Sequence, residues 1–189
     1  MISQQLIISG VGGQGILFIT RLLAETAIAK GLPVLTSETH GMAQRGGVVV
    51  SHLKAGAFSS PLVRPGHADG LIALKAENVL IHRSFLQPDG WIAANAGDSF
   101  SLSGASEIAT IDADRLALQL GNTQAVNLIV LGRALATGRL FCTLDDLDRV
   151  IRRKLNDKPA LLEGALAALD AGSGAGDSSV SQIILGVGT

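Results

Sequence analysis

The sequence has few of the residues that bind metals, form disulfides or stack against bases. Its 189 residues include one cysteine, one tryptophan and no tyrosine. Cys142 has no partner for an internal disulfide, and no CxxC pair is present to hold zinc or an iron–sulfur cluster. The four histidines are isolated from one another, without metal-ligand spacing. These absences exclude a self-contained iron–sulfur protein of the cysteine-ligated kind and indicate a reducing compartment.

Charged residues are scarce as well. They make up 16% of the chain, and the formal net charge is -1, so no overall field attracts nucleic acid. The N-terminus has no signal-peptide pattern, and no stretch has the apolar length of a membrane span. We therefore predict a cytoplasmic protein without nucleic-acid or membrane partners. Hydrophobic residues reach 47%, which indicates a large core or a large subunit interface and leaves a homodimer of the isolated chain open.

Two widespread catalytic motifs are also missing. Without G-x-x-x-x-G-K-[ST] the chain is not a P-loop NTPase, and without a G-x-S-x-G elbow no Ser–His–Asp set can be argued. The chain does contain 23 glycines and a regular alternation of short apolar runs with helical patterns. Glycines cluster at residues 10–15 and 37–47, and these two stretches are the candidate functional sites.

The alternation of apolar runs and helical patterns predicts an α/β fold. Expected strands cover residues 5–9, 32–38, 47–54, 68–74, 91–96 and 107–112, and expected helices cover 16–30, 76–86, 113–120 and 124–137. Residues 88–90 are a turn signal, Thr143 with Asp146 forms a capping box that opens a last helix, and Pro159 breaks or kinks that region. We predict a Rossmann-like three-layer α/β/α domain with a mainly parallel sheet over 1–171. A flexible tail with a candidate docking strand follows over 172–189.

The first glycine cluster lies between an expected strand and an expected helix. Gly10, Gly12 and Gly15 match G-x-G-x-x-G, in which the glycines permit a tight turn, close approach of a ligand and close packing of helix on strand. Gly13 and Gln14 complete the turn, whose free N–H groups would face an anion. Glu38 stands where an acid binds the ribose of a dinucleotide. NAD binding and a purely structural βα turn remain equally open on spacing alone.

The second cluster is the stretch SETHGMAQRGG at 37–47. Gly41, directly after His40, and Gly46 and Gly47, directly after Arg45, indicate a sharply bent loop that lets other groups come close. Arg45 can hold a carboxylate or phosphate through two hydrogen bonds, and His40 can transfer a proton near neutral pH. The plainer interpretation gives His40 a local hydrogen bond and pairs Arg45 with Glu38. We favour that interpretation for His40, and an interface or ligand role for Arg45.

Both clusters, in this order, resemble a known family. GVGGQG at 10–15, ETHGMAQRGG at 38–47 running into VVVSHLK, and AVNLIVLGRAL at 125–135 are similar to the gamma subunit of the 2-oxoacid:ferredoxin (acceptor) oxidoreductases. That group includes the small subunit of indolepyruvate ferredoxin oxidoreductase. The resemblance extends over residues 4–170 and is more specific than either glycine pattern alone.

The resemblance implies a reaction and a division of labour. A 2-oxoacid such as indolepyruvate, pyruvate or 2-oxoglutarate is decarboxylated on thiamine diphosphate, the acyl unit passes to coenzyme A, and electrons leave through iron–sulfur clusters to ferredoxin. Partner subunits hold the thiamine diphosphate and the clusters, so this chain binds neither by itself. The resemblance also implies that an anion or coenzyme A binds at the glycines and the glutamine of the two clusters, which are Gly10, Gly12, Gly13, Gln14, Gly15, Gly46 and Gly47. It implies that Arg45 and His40 are candidates at the active-site interface.

Two other functions stay open at this point. A stand-alone NAD(P)- or FAD-binding oxidoreductase would place Glu38 on a ribose and bind dinucleotide as an isolated chain. A purely structural assembly subunit would use its glycines only for packing and would bind no ligand by itself.

Overall fold

The fold is built on one mixed sheet. The computed structural model describes residues 2–40, 47–97, 100 and 108–174, with only the backbone at His40. The strands are β1 (Gln4–Val11), β2 (Val34–His40), β3 (Val48–Ala55), β4 (Ala68–Ala73), β5 (Leu86–Asn95) and β6 (Ile108–Ile111). The α-helices within those ranges are α1 (Ile16–Ala29), α2 (Ala76–His82), α3 (Ala113–Gln119), α4 (Val126–Ala136), α5 (Leu144–Leu155) and α6 (Pro159–Gly174).

The sheet has the strand order β2-β3-β1-β4-β5-β6. Strands β1, β4, β5 and β6 run parallel to one another, whereas β3 is antiparallel to both β1 and β2. The predicted α/β fold with a mainly parallel sheet is therefore confirmed, with one antiparallel strand inserted between the first two. That insertion matters for function because it separates β2 from β1.

Helices cover the two faces of the sheet unequally. The major face carries Leu6, Ile8 and Ile72 and packs against helices α1, α3, α4, α5 and α6 in one large apolar cluster. The minor face carries Ile7, Leu71 and Ile92 and forms a smaller cluster with Val79 of α2. Successive side chains of a strand alternate between faces, which is why neighbours such as Ile7 and Ile8 belong to different clusters.

Several element boundaries differ from those expected. The predicted turn at 88–90 is wrong, because β5 already begins at Leu86, where it pairs with Ala68 of β4 before a register shift. Of the two outcomes expected at Pro159, the break is confirmed, because α5 ends at Leu155 and α6 begins at Pro159, where the missing N–H costs nothing. Helix α6 runs to Gly174, three residues past the expected domain end at 171, and the rest of the predicted tail lies outside the described residues. Among the described helices, none is long and apolar enough to cross a membrane.

Candidate functional site

The carboxyl ends of the parallel strands meet at one edge of the sheet, and the chain leaves adjacent strands there in opposite directions. After β1 the chain enters α1 on the major face, and after β4 it enters α2 on the minor face. Such a divergence opens a crevice at the strand ends, which is where open α/β sheets bind their ligands. The predicted glycine turn, residues 10–15, forms the β1 side of this crevice.

The glycine turn is closed by its own glutamine. The Gln14 Oε1 atom accepts a hydrogen bond from the Val11 N–H at 2.7 Å, and the Gln14 N–H donates to the Val11 carbonyl at 3.1 Å. A Cβ at Gly10 would lie 2.8 Å from Gln14 Oε1 and 3.1 Å from Leu74 Cβ. Gly10 is therefore needed for packing, whereas a Cβ at Gly13 would meet nothing within 4 Å, although the φ of Gly13 is 94°.

The structure brings the two glycine clusters of the sequence together. The Gly12 N–H donates to the Gly47 carbonyl oxygen at 3.1 Å. Val11 at the end of β1 also pairs with Val48 at the start of β3, so the second loop ends beside the glycine turn. The glycines of 37–47 predict that another group comes close to this loop, and at Gly47 that group is the backbone of Gly12.

Helix α1 begins without a capping side chain. Gly15 occupies the N-cap position with φ 80°, and no side chain accepts from the first turn. The first N–H groups of a helix have no intrahelical acceptor and need another partner. Phe18 and Ile19 donate to the Gly15 carbonyl, but the N–H groups of Gly13, Gly15, Ile16 and Leu17 have no acceptor among the described residues.

Asn127 lies at this edge of the sheet and was not predicted from the sequence as a site residue. Asn127, from α4, places its Nδ2 against Gly15, where any Cβ would overlap it. Asn127 is only 8% exposed. The stretch 125–135 pointed to this helix through its resemblance, but nothing local in the sequence indicated that Asn127 reaches the start of α1.

The remaining candidates lie partly outside the described residues. His40 is the last residue of β2, opposite Val49 of β3, and its side chain is outside the description. Arg45 and Gly46 fall in 41–46, which the structure does not describe. Their roles stay predictions. Of the described neighbours, Gly47 lies beside the glycine turn, and His40 ends β2 at the same edge of the sheet but two strands away from β1.

The position of Glu38 does not suit a dinucleotide ribose. Glu38 pairs with Ser51 of β3, and Ser51 pairs with Ile8 of β1, so Glu38 is two strands away from β1. Because neighbouring strands lie about 4.8 Å apart, the acid is displaced by roughly 10 Å from the strand that carries the glycine turn. In a dinucleotide fold the acid follows the strand directly beside the first one.

A buried polar cluster lies on the minor face near the same edge. The Ser9 Oγ accepts from Asn78 Nδ2 and lies next to His82 Nδ1, both at 3.0 Å, and His82 Nδ1 is 3.2 Å from the Asn78 carbonyl. Burial lowers the pKa of His82, against the opposing effect of the Asn78 carbonyl. The pKa of His52 is lowered by burial first, then by Lys54 and by His82. Burial therefore favours the neutral form of both imidazoles.

Comparison with known proteins identifies the family. Residues 5–175 match the family model described as pyruvate ferredoxin/flavodoxin oxidoreductase. The chain belongs to this family. The chain is 28% identical to the indolepyruvate oxidoreductase subunit IorB of Archaeoglobus fulgidus, over 81% of this chain and 86% of that subunit. It is 27% identical to the same subunit of Pyrococcus horikoshii, over 88% and 93% of the two chains.

Solved structures of oxidoreductase subunits share the fold of this family member. A keto/oxoacid ferredoxin oxidoreductase gamma subunit from Geobacter sulfurreducens superposes with a TM-score of 0.74 at 21% identity, over 93% of this chain and 99% of that one. A 2-oxoglutarate:ferredoxin oxidoreductase from Magnetococcus marinus, solved with 2-oxoglutarate, coenzyme A and succinyl-CoA, gives a TM-score of 0.77 at 19% identity. The superposed region includes 94% of this chain and 32% of the longer Magnetococcus marinus chain.

The thiol of this oxidoreductase family member is not a nucleophile. Cys142 is buried, and burial, with a smaller effect from Asp146, raises the pKa of its thiol to about 12. A thiol needs to ionise to react or to bind a metal. The candidate functional site of the described residues is therefore the carboxyl edge of the sheet around the glycine turn, and Cys142 is not part of it.

Proposed function

We propose that this chain is the small, gamma-type subunit of a 2-oxoacid:ferredoxin oxidoreductase, and that it supports oxidative decarboxylation of a 2-oxoacid to an acyl-coenzyme A in the cytoplasm. The observation that carries the proposal is the family match over residues 5–175, together with relatives that are oxidoreductase subunits of similar length. Those relatives favour indolepyruvate as the 2-oxoacid, ahead of pyruvate and 2-oxoglutarate.

In this proposal the chain works with partner subunits. They hold the thiamine diphosphate and the iron–sulfur clusters, and this chain reaches ferredoxin only through them. Coenzyme A is the co-substrate. The support is indirect: the relatives are named as subunits of oxidoreductases, and one structural neighbour was solved with coenzyme A.

The glycine turn and the loop beside it form the working edge of the chain in this proposal. Gly10 and Gln14 fix the turn, while Gly12, Gly13 and Gly15, with Gly46 and Gly47, keep side chains away from an approaching ligand. The Gly12–Gly47 hydrogen bond and the unbonded N–H groups at the start of α1 support this role. Arg45 would orient a carboxylate, a phosphate or an acid of the partner, with His40 as the second candidate at that interface.

The first experiment is a native pull-down of the tagged chain, with thiamine, iron and sulfide assayed in the co-purifying material. A larger partner that carries thiamine diphosphate and iron supports the proposal, and a panel of 2-oxoacids with coenzyme A then identifies the substrate. A chain that purifies alone, or with a bound dinucleotide, contradicts it.

Arg45→Ala tests the interface role in the assembled enzyme. We expect turnover to fall at least tenfold, because a bidentate charged contact is worth about 1.5–3 kcal/mol. The isolated variant should unfold at the wild-type denaturant concentration. Arg153→Ala is the matched control, since Arg153 is exposed and has no ion pair within the described residues. Unchanged turnover in Arg45→Ala would show that Arg45 has no such role.

The two other functions make different predictions. If the chain is a stand-alone dinucleotide enzyme, the isolated chain should bind NADH more tightly than coenzyme A in calorimetry. The position of Glu38, two strands away from β1, argues against this function. A purely structural subunit requires that neither compound bind and that the complex need this chain for stability alone.

A further inference from the structure

We propose that residues 56–67, the strap, form a lid on the minor face of the sheet that opens when His52 takes up a proton. The strap connects β3 to β4, and its Val63 packs into the apolar cluster of that face beside His52. Opening would bare this part of the cluster to solvent. The lid does not depend on the activity proposed above.

A glycine with positive φ lies at or near each end of the strap. Gly56 has φ 124° and Gly66 has φ 76°, values that favour glycine and let the chain turn sharply. The Gly56 N–H donates to the Pro33 carbonyl at 2.8 Å, and the Gly66 N–H donates to the Ser84 carbonyl at 2.9 Å. Both ends of the strap are therefore fixed by backbone hydrogen bonds at turns.

The middle of the strap is held by few contacts. The Val63 N–H donates to His52 Nδ1 at 3.2 Å, and no other hydrogen bond joins residues 57–65 to the rest of the described chain. Val63 is 3% exposed, and the Phe58 ring lies over Lys54 Nζ, 5.1 Å from it. Without the bond to His52, one buried valine and one cation–π contact would remain to hold the middle of the strap in place.

The direction of this hydrogen bond makes it sensitive to protonation. A backbone N–H is a donor, so His52 Nδ1 accepts and is unprotonated, and the neutral ring carries its proton on Nε2. A second proton binds at Nδ1, where it would face the Val63 N–H. Two donors cannot bond to each other, and a buried donor without an acceptor is costly. Protonation of His52 and closure of the strap therefore oppose each other.

Basic groups around His52 also disfavour a proton while the strap is closed. Burial lowers the pKa of His52 most, followed by Lys54 of β3 and by His82 of α2. The pKa of Lys54 is lowered by burial first and then by Arg64 of the strap.

No carboxylate of the described chain forms an ion pair with His52 to offset these effects. Its strand partners, Ile7 of β1 and Ser37 of β2, are uncharged, and the neighbouring ring after α2 is Phe85, with centroids 5.7 Å apart. The acid at the start of β4, Asp69, accepts from a backbone N–H and a side-chain amide instead.

Closure should therefore weaken as pH falls. In the open strap His52 faces water and takes its ordinary pKa of about 6.5, whereas the closed strap favours the neutral ring. Closure is fully favoured above that pH and is lost on acidification. One proton limits the change in the ratio of open to closed strap to about tenfold between pH 7.5 and pH 5.5.

Hydrogen exchange of the full chain, followed by NMR at pH 7.5 and pH 5.5, measures the opening. Protection factors, which correct for the intrinsic pH dependence of exchange, are compared for the N–H groups of Val63, Gly66 and Leu74. Leu74 donates to the backbone of β1 and reports global unfolding. His52→Gln removes the titrating ring, and His67→Gln is the matched control, because it makes the same change at an exposed histidine of the strap.

We expect the protection factors of Val63 and Gly66 to fall about tenfold from pH 7.5 to pH 5.5 in the wild type and in His67→Gln, and to stay constant in His52→Gln. Leu74 should be better protected than either at both pH values. Nitrogen NMR of the wild-type imidazoles should find the His52 proton on Nε2 at pH 7.5, which tests the lid even if His52→Gln does not fold.

The lid is ruled out by several distinct results. Wild-type protection of Val63 that changes less than twofold with pH shows no linkage to a proton, and protection equal to that of Leu74 shows that only global unfolding exposes Val63. A loss confined to Val63, with Gly66 unchanged, shows that one bond breaks without movement of the strap. A His52 proton on Nδ1 at pH 7.5 contradicts the acceptor role of that atom.

Discussion

The two faces of the sheet differ in what covers them and in what they contain. The major face meets five helices and forms one apolar cluster, in which α4 and α6 pack backbone against backbone. Among the described α-helices, only α2 contributes to the apolar cluster of the minor face, and the strands also bury the polar residues Ser9, His52 and Lys54. Burial of apolar area is the main stabilising contribution to folding, so most of the stability should come from the major face.

The crevice lies where the chain passes from one face to the other, with α1 on the well-packed side and α2 on the thinly covered side. The N–H groups at the start of α1 therefore belong to the well-packed layer, because α1 packs into the cluster of the major face. Precise donor positions are what an anion site requires. Substitutions on the two faces should therefore differ in their effect on stability.

The largest effect is expected where α4 meets α6 on the major face. A Cβ at Gly132 would overlap the Leu169 carbonyl oxygen, and one at Gly172 would overlap the Ile129 carbonyl oxygen. Backbone atoms of a packed helix cannot move aside, so Gly132→Ala should reduce the free energy of unfolding by about 3 kcal/mol, measured by urea denaturation. This loss exceeds the gain in helix propensity of about 1 kcal/mol that alanine brings.

Gly164→Ala is the control for this prediction. Gly164 lies in the same helix α6, and an added Cβ would meet only Asn122 Nδ2, at 3.5 Å. The substitution should therefore leave stability unchanged or raise it by up to about 1 kcal/mol. Equal losses at Gly132 and Gly164 would mean that the close contact of α4 and α6 does not limit stability.

A smaller effect is expected at the rim of the major face, where α1 meets α5. Asp146 accepts from Lys30 Nζ at 2.5 Å and from Arg149 at 2.6 Å, and forms the predicted capping box with Thr143. The hydrogen bond from Lys30, followed by those from Thr143, lowers the pKa of Asp146 to about 2 against the opposing effect of burial. The carboxylate is therefore favoured in the folded state.

Asp146→Asn should cost about 2 kcal/mol at neutral pH, because the folded pKa lies below the unfolded one and each pKa unit corresponds to about 1.4 kcal/mol. The stabilisation is present above the unfolded pKa and is lost as pH falls from about 4 to about 2. Urea titrations at pH 7 and pH 2.5 should show the difference from wild type shrinking. Asp148→Asn, in the same helix but paired with the exposed Arg152, should show little change at either pH.

The sequence predicted features that depend on neighbouring residues. Alternation in β3 placed Val50 and His52 on one face and Leu53 on the other, and the clusters confirm it because the period of a strand is two. The capping box at Thr143 is confirmed for the same reason, since its two partners are three residues apart. The glycine turn between β1 and α1 is likewise a local pattern.

Features set by pairing of distant segments were not predictable from the sequence. The spacing to Glu38 fits a dinucleotide site, but the insertion of β3 between β1 and β2 depends on strand pairing, which no local pattern encodes. Asn127 reaches Gly15 only because α4 packs near the start of α1. The early start of β5 also depends on the pairing of distant segments, since Leu86, which precedes the turn signal at 88–90, pairs with Ala68 of β4.

The smallest effect is expected on the minor face and depends on pH. Burial lowers the pKa of both His52 and His82, so the unfolded chain binds more protons than the folded one as pH falls below about 6.5. The stabilisation is therefore present above that pH and is lost on acidification toward the folded pKa values. Lys54 of β3 also lowers the pKa of His52 and so opposes its protonation.

Linkage limits the loss for each histidine to about 1.4 kcal/mol at pH 5.5 relative to a pH well above 6.5. We therefore expect the wild-type free energy of unfolding to decrease between pH 7.5 and pH 5.5, and His82→Gln to flatten that decrease whatever its effect at pH 7.5. His67→Gln, at an exposed histidine, should retain the wild-type slope. Retention of the full slope in His82→Gln would show that the minor face is as insensitive to acid as the apolar major face, and the contrast between the two faces would then be one of packing alone.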